Sequence, residues 1–398
     1  MTRLGVLSLH TSPLAQPGTG DSGGLNVYVR ELTSSLAQAG VASTVYTRRW
    51  RPGLPAVVEV EPGFTVVHVD GGTERFTKDE LPGALELLSG EVLARLLEDR
   101  PDALFAHYWL SGVVGHQLKH QLDLPLMTTF HTLALMKGGE SEQRARAERE
   151  IIGCSDAVLA SSSAEAELLR EAYEAPADRV EIVPPGVDHA FFSPGDAGAA
   201  RAALGLADQP VLLFVGRIQP LKGLPVAIRA LAALPQPGAV LVVVGGPSGP
   251  EGAAELHAAH RLARELGVDD RVRFTDPQPH HLLSTYYRAA DVCLVPSRSE
   301  SFGLVALEAA ACGTPVVAAD VGGLAAIVDH GRTGFLVDGW DAEEYAARVL
   351  QLLVSPELAS AVGDRAAERA RAYTWSTTAA RIRRLCGDMT ARAPVSCG

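Results

Sequence analysis

Charged residues flanked by glycine stand at the ends of short apolar runs, and their spacing narrows the chemistry available to them. In Val215-Gly-Arg-Ile-Gln-Pro-Leu-Lys-Gly223, Arg217 and Lys222 leave an apolar run together, and Gly216 and Gly223 permit close backbone approach. Two such cations at the carboxyl end of a strand suit a diphosphate, since arginine clamps with its fork and lysine acts as a point charge. In Pro296-Ser-Arg-Ser-Glu-Ser-Phe-Gly-Leu-Val-Ala-Leu-Glu308 an apolar run ends at Pro296, and a helix is expected from near Phe302. The first amides of that helix, at Gly303, Leu304 and Val305, are then open to a phosphate. Glu300, just ahead of it, reads as a helix cap. Glu308 falls within apolar LVALEAAA, where a carboxylate without a partner is expensive. A hydroxyl-rich ligand such as ribose would satisfy it.

The loop Gly18-Thr-Gly-Asp-Ser-Gly-Gly-Leu-Asn26 follows an apolar run and opens a helical pattern, so its amides suit an anion. The order GTGDSGG is neither a dinucleotide fingerprint nor a P-loop. His10, His107-Tyr108 and His131-Thr132 close three further apolar runs and converge on one sheet edge. None of their spacings is a metal motif, and no zinc site is expected. Lys78 and Arg144 are far apart and read individually as surface charges.

The elements that must position these residues alternate along the chain. Apolar runs at 4–9, 65–69, 102–106, 125–130 and 156–160 predict buried parallel strands, as do 211–216, 239–246, 272–276, 291–297 and 314–319. Amphipathic stretches lie between them, such as LNVYVRELTSSLAQAG with Val27, Leu32, Leu36 and Ala39 at helical spacing. This alternation predicts an α/β fold of two open sheets, whose ligands gather at the carboxyl ends of the strands. Residues 182–198, with three Pro and three Gly, break both periodicities and read as a linker. The predicted division is 1–190, 191–372 and a C-terminal helix over 373–398 that crosses back to the first domain.

The chain has 398 residues, 47% of them hydrophobic, with 35 Lys and Arg against 47 Asp and Glu. A net charge of −12 argues against a nucleic-acid binder. Cys154, Cys293, Cys312, Cys386 and Cys397 form no CxxC pair and read as reduced thiols in a cytoplasmic protein. No signal peptide opens the chain, and no run approaches the ~18–20 apolar residues of a membrane span. A dimer is the usual expectation for soluble oligomers.

RIQPLKG, GGPSGP and ESFGLVALEAAACGTPVVAADVGG together resemble the retaining family-4 glycosyltransferases. The resemblance implies a GT-B fold, two Rossmann-like domains facing each other across a deep cleft. SLHTSPLAQPGTGDSGGLNVYV is similar to a narrower group within the family. Its members move GlcNAc from UDP-GlcNAc to 1D-myo-inositol 3-phosphate, the first step of mycothiol synthesis. More distantly, the segment resembles sucrose-phosphate synthases. On this resemblance Gln16, Pro17 and Gly24 lie against the donor, with Gln278, Phe302, Gly303 and Leu304. Arg217 and Lys222 hold the UDP diphosphate, Glu308 the ribose, and Glu300 the donor sugar. His10 and the loop Asp21, Ser22, Gly23, Gly24, Leu25, Asn26 contact the inositol. Lys78, Tyr108, Thr132 and Arg144 bind the acceptor phosphate. His131, Arg217, Lys222 and Glu300 carry the catalysis, with His131 orienting the sugar rather than acting as base. Gln278, in DPQP, stands beside the donor where the family leads one to expect arginine.

The resemblance implies no metal for the chemistry, but a Mg²⁺ held on backbone carbonyls around Tyr287, Arg288 and Ala290 and near Thr314. Its partners would be a nucleotide sugar and a small phosphorylated polyol. The nearest alternative is a family-4 hexosyltransferase with another nucleotide sugar or another small acceptor. A lipid acceptor would call for a basic first half, yet residues 1–195 hold 16 Lys and Arg against 26 Asp and Glu. A UDP-GlcNAc 2-epimerase shares the architecture but needs no acceptor.

Overall fold

A computed structural model of the chain describes residues 2–20, 22–70, 76, 80–137 and 141–397. It forms two compact units, Met1–Ala15 with Leu25–Gly186 and Trp375–Gly398, and Gln16–Gly24 with Val187–Thr374. The boundary falls after Gly186, inside the proline-rich stretch. Residues 16–24 therefore group with the second unit, although the sequence reading kept them within 1–190.

The first unit carries an eight-stranded sheet. Its strands are β1 (Arg3–Leu7), β2 (Ala42–Arg48), β3 (Val57–Glu61), β4 (Phe64–Val69), β5 (Ala103–His107), β6 (Leu126–Thr129), β7 (Ala157–Ala160) and β8 (Val180–Ile182). They lie in the order β3-β4-β2-β1-β5-β6-β7-β8, with the pairing of β3 to β4 antiparallel and the rest parallel. The second unit holds β9 (Val211–Val215), β10 (Val240–Val244), β11 (Val272–Thr275), β12 (Val292–Val295), β13 (Val316–Ala319) and β14 (Gly334–Val337). Here the order is β11-β10-β9-β12-β13-β14, all parallel. Strand order reverses beside β1 in one sheet and beside β9 in the other. Crevices open at the carboxyl ends of strands at such reversals.

Both faces of each sheet are covered, which is why the strands read as near-continuous apolar runs. In the first unit, helix Gly24–Gln38 packs Val29, Leu32 and Leu36 against Leu4, Val6 and Phe105. Helix Tyr108–Leu122 packs Val114 and Leu118 on the opposite face against Leu7, Leu104 and Leu126. Helix Trp375–Thr390 buries Trp375, Ala379, Ile382, Leu385, Cys386 and Met389 with the first of these faces. Each large apolar side chain so buried contributes about 1.5–3 kcal/mol, so this last helix belongs energetically to the first unit.

Candidate active site

The second unit gathers its charged residues on loops that leave β9, β10 and β12. Gly223 adopts φ 71° and lies where a Cβ would stand 2.1 Å from the Pro296 carbonyl, so only glycine lets the two loops meet there. The Arg298 amide donates to the Leu221 carbonyl at 2.8 Å, closing the same junction. Lys222 Nζ consequently meets Glu300 Oε2 at 2.6 Å, with the two side chains 23% and 19% exposed. The Ser297 hydroxyl donates to the same carboxylate oxygen at 3.3 Å. From behind, the Gly323 amide donates to the Glu300 carbonyl at 2.9 Å, and a Cβ on Gly322 would stand 2.0 Å from that oxygen.

Arg217 Nη1 donates to the Ser248 hydroxyl at 3.3 Å, and its guanidinium lies alongside Gly23, where a Cβ would come within 3.0 Å of Nε. Ser248, in the GGPSGP loop, escaped the sequence reading although that motif was in view. Gln16 Nε2 donates to the Pro277 carbonyl at 2.9 Å, which brings Gln16 beside Gln278. Gln278 is half-buried and turns its amide onto the Asp276 carbonyl at 2.9 Å. Ser22 and Gly24 also lie in this unit, and Pro17 with them. Helix Leu304–Ala311 begins at Gly303 (φ 101°) without a side-chain cap, just after buried Phe302. Its first amides are a ready site for an anion.

Glu308 is buried, but the expectation of a carboxylate awaiting a ligand is corrected. Tyr287 donates its hydroxyl to Oε2 at 2.8 Å, and His280 Nε2 meets Oε1 at 2.7 Å. Both partners come from the chain between β11 and β12, whose packing no linear spacing announces. Burial, reinforced by Glu308, raises the Tyr287 hydroxyl well above its ordinary value and keeps it a donor.

Among the backbone carbonyls named for Mg²⁺, that of Tyr287 is already engaged within the chain. The Tyr287 carbonyl already accepts from the Thr314 hydroxyl at 2.7 Å and the Ala290 amide at 3.1 Å. The Arg288 guanidinium, donating to Ser193 and Phe191 carbonyls, adds positive charge, and the set contains no carboxylate.

In the first unit the carboxyl ends of β5 and β6 carry backbone strain. Tyr108 and His131 hold φ 74° and 59°, the left-handed region that bulky residues rarely enter. His107 Nδ1 and His131 Nε2 share a hydrogen bond of 3.0 Å. Burial pushes His131 down to about 3, and burial together with His131 and His10 holds His107 well below its ordinary value. Both rings are neutral at pH 7, and His131 is a poor general base. Arg144 stacks over the Tyr108 ring at 5.0 Å and donates from Nη2 to the Thr132 carbonyl at 2.6 Å and hydroxyl at 3.3 Å. Its Nε bonds Glu148 Oε1 at 2.8 Å in a buried pair. His10 packs against Tyr108 with ring centroids 4.5 Å apart.

Tyr108, Thr132 and Arg144 are thus adjacent, while Lys78 and Asp21 lie outside the described residues. Leu25 and Asn26 belong to this unit at the start of helix Gly24–Gln38. Asn26 is buried and directs its amide to the Thr11 hydroxyl at 2.7 Å and the Ser12 carbonyl at 2.5 Å. These bonds pin the turn after β1.

Two sheets, parallel but for the β3 edge, whose strand ends present these loops define a glycosyltransferase of the GT-B class. Residues 23–186 match the glycosyl transferase 4-like domain, and residues 197–369 match glycosyl transferases group 1. The D-inositol 3-phosphate glycosyltransferase 2 of Catenulispora acidiphila is 47% identical over 397 residues, spanning 95% of this chain and 93% of the relative. A D-inositol 3-phosphate glycosyltransferase of Corynebacterium glutamicum is 40% identical over 99% of this chain and 98% of its own length. A sucrose-phosphate synthase from Thermosynechococcus elongatus superimposes with a TM-score of 0.93 at 34% identity, over 98% of this chain and all of that one. HepE of Anabaena, solved with UDP and glucose, shares the fold at TM-score 0.81 and 21% identity, over 98% of this chain and 100% of that one. The chain belongs to the family-4 glycosyltransferases. Among the described residues no helix is long and apolar enough to cross a membrane.

Proposed function

We propose that this glycosyltransferase moves GlcNAc from UDP-GlcNAc to 1D-myo-inositol 3-phosphate with retention of configuration, in the cytoplasm. The observation that carries the reading is the full-length similarity, at 40–47% identity, to proteins named D-inositol 3-phosphate glycosyltransferase. The local chemistry supports it. Arg217, Lys222 and the amides at Gly303 and Leu304 suit the UDP diphosphate and the charge that develops on it as the glycosidic bond breaks. Glu300, held by Lys222 and Ser297, takes the donor sugar's hydroxyls. Glu308, oriented by Tyr287 and His280 and with lone pairs left on each oxygen, takes those of ribose. On the first unit Arg144, Tyr108 and Thr132 receive the acceptor phosphate, joined by Lys78. The neutral His131 orients the sugar. The attacking hydroxyl gives its proton to the departing diphosphate oxygen, so no strong protein base is called for.

The sucrose-phosphate synthase likeness favours one other reading, a hexose phosphate as acceptor. A phosphate-reading acceptor site should prefer inositol 3-phosphate over unphosphorylated inositol by about 100-fold in kcat/KM, since a site built for a polar group rejects the analogue that lacks it. NMR of the product should show the same anomeric configuration as the donor. Equal use of inositol and its phosphate, or an inverted product, would overturn the proposal.

A further inference from the structure

The cysteines do not behave as five separate thiols. Cys154, the last residue of helix Glu142–Cys154, meets Cys397 in the segment after helix Trp375–Thr390, their sulfurs in bonding contact. The remaining three cysteines are buried and separate. Facing this pair are His116 and His120 on helix Tyr108–Leu122, one turn apart on the same face. Nε2 of His120 lies 3.2 Å from the Cys397 sulfur and 3.9 Å from that of Cys154, and Nε2 of His116 lies 3.8 Å from Cys397. All four ligand atoms fall within 4.8 Å of one another.

We propose that His116, His120, Cys154 and Cys397 form a tetrahedral site for one Zn²⁺ ion that clamps the C-terminal segment onto the first unit. With Zn–S near 2.3 Å and Zn–N near 2.0–2.1 Å, tetrahedral ligand atoms sit about 3.3–3.8 Å apart; the imidazole–sulfur contacts of 3.2–3.9 Å bracket that spacing, while the two sulfurs must part from bonding contact to about 3.8 Å to take the ion. Once a thiol reductant supplies two electrons to the Cys154–Cys397 pair and is itself oxidised to a disulfide, the two thiolates and two neutral imidazoles balance the charge of a divalent ion, and a soft S₂N₂ set selects zinc. A disulfide alone would give the two imidazoles no reason to converge on the sulfurs.

Independent bonds bring the segment to this place. The buried Asp156 carboxylate accepts the Val395 amide at 2.6 Å, the Leu126 amide at 2.8 Å and Lys119 Nζ at 2.5 Å. Cys397 is therefore delivered to Cys154 by contacts that involve none of the four ligands. His116 lies eight residues, about 12 Å, further along its helix than Tyr108. The ion would therefore act on structure and leave catalysis to the strand ends.

The test is a titration of the full chain, reduced and stripped with a chelator, with Co²⁺. We expect about one ion bound per chain, with the absorption bands of a tetrahedral thiolate site, displaced by one equivalent of Zn²⁺. Cys397→Ser and His120→Ala should each weaken binding at least ~100-fold with unchanged far-UV circular dichroism. Absence of the bands, or bands unaltered in both variants, would overturn the site. So would chain that is purified metal-free and yields three rather than five reactive thiols on denaturation without reductant, the signature of a disulfide.

Discussion

At the scale of single residues, Lys222 and Glu300 neutralise one another across 2.6 Å, so removing either leaves the other partly buried charge without its counterpart. Lys222→Ala should lower turnover at least ~100-fold if Lys222 holds the proposed place at the leaving diphosphate, since a cation there acts chiefly in the transition state. Near-normal steady-state turnover would remove Lys222 from that role. Arg144, proposed to receive the acceptor phosphate, also pairs with Glu148, which complicates its substitution. Arg144→Ala leaves Glu148 buried beside only the Ala134 amide and the Tyr173 hydroxyl. Breaking a buried pair in this way costs about 3–5 kcal/mol, which urea denaturation would register. Thr132→Val separates the roles, since it deletes a hydroxyl and leaves the Arg144–Glu148 pair in place. It should raise the KM for inositol phosphate several-fold and leave the KM for the donor unchanged. An unaltered acceptor KM would exclude Thr132 from the phosphate site.

The paired histidines give the first unit a pH dependence whose sign is fixed. His131 titrates near 3 in the folded chain against 6.5 when free, and His107 is depressed in the same direction. Between these values the unfolded chain binds protons that the folded rings do not. The contribution to stability is therefore complete above about pH 6.5 and is lost as pH falls toward 3. Each such histidine gives a slope of up to ~1.4 kcal/mol per pH unit. Urea midpoints at pH 7 and 4.5 should differ more for the natural chain than for His131→Asn, whose asparagine tolerates the left-handed backbone. Equal pH slopes in the two proteins would contradict the assignment.

At the scale of elements, the loops matter more than the helices they join. Glu300 reaches its place because Gly322 and Gly323 let the chain after β13 press against the 300–303 turn. A Cβ on Gly323 would stand 2.2 Å from the Ser301 carbonyl, a collision with backbone that no rotamer relieves. Gly323→Ala should therefore depress kcat by an order of magnitude or more with native secondary structure retained, and wild-type kinetics would show that the turn does not position Glu300. Loops of this kind were legible in the sequence because each joins an apolar run to glycine and charge, as RIQPLKG and ESFG do. The strands β2, β3, β8 and β14 were not. The sequence VVEVE of β3 mixes Val with Glu, has no fully buried residue and pairs antiparallel at the sheet edge, so it carries no buried apolar run. The partners of Glu308 were hidden for a different reason, since His280 and Tyr287 acquire their roles only through tertiary packing. The same holds for His116, His120, Cys154 and Cys397, where only the His-x₃-His pair is local and the cysteines are 243 residues apart.

At the scale of the molecule, chain order and physical grouping part company twice. The loop 16–24 leaves the first sheet and groups with the second unit, while Trp375–Gly398 returns to the first. A net charge of −12 surrounds the small cationic sets at Arg217 and Lys222 and at Arg144. Recognition of anionic substrates must then come from those local donors and not from long-range attraction, which salt screens within ~10 Å. All of these readings converge on a single reaction. The measurement that tests it most directly offers UDP-GlcNAc, UDP-glucose and GDP-mannose to the purified enzyme, each with inositol 3-phosphate, with fructose 6-phosphate or with no acceptor, and weighs the products by mass spectrometry. One main product is expected, a GlcNAc-inositol phosphate that requires both partners. A hexosyl product on fructose 6-phosphate, or conversion of UDP-GlcNAc without any acceptor, would contradict it.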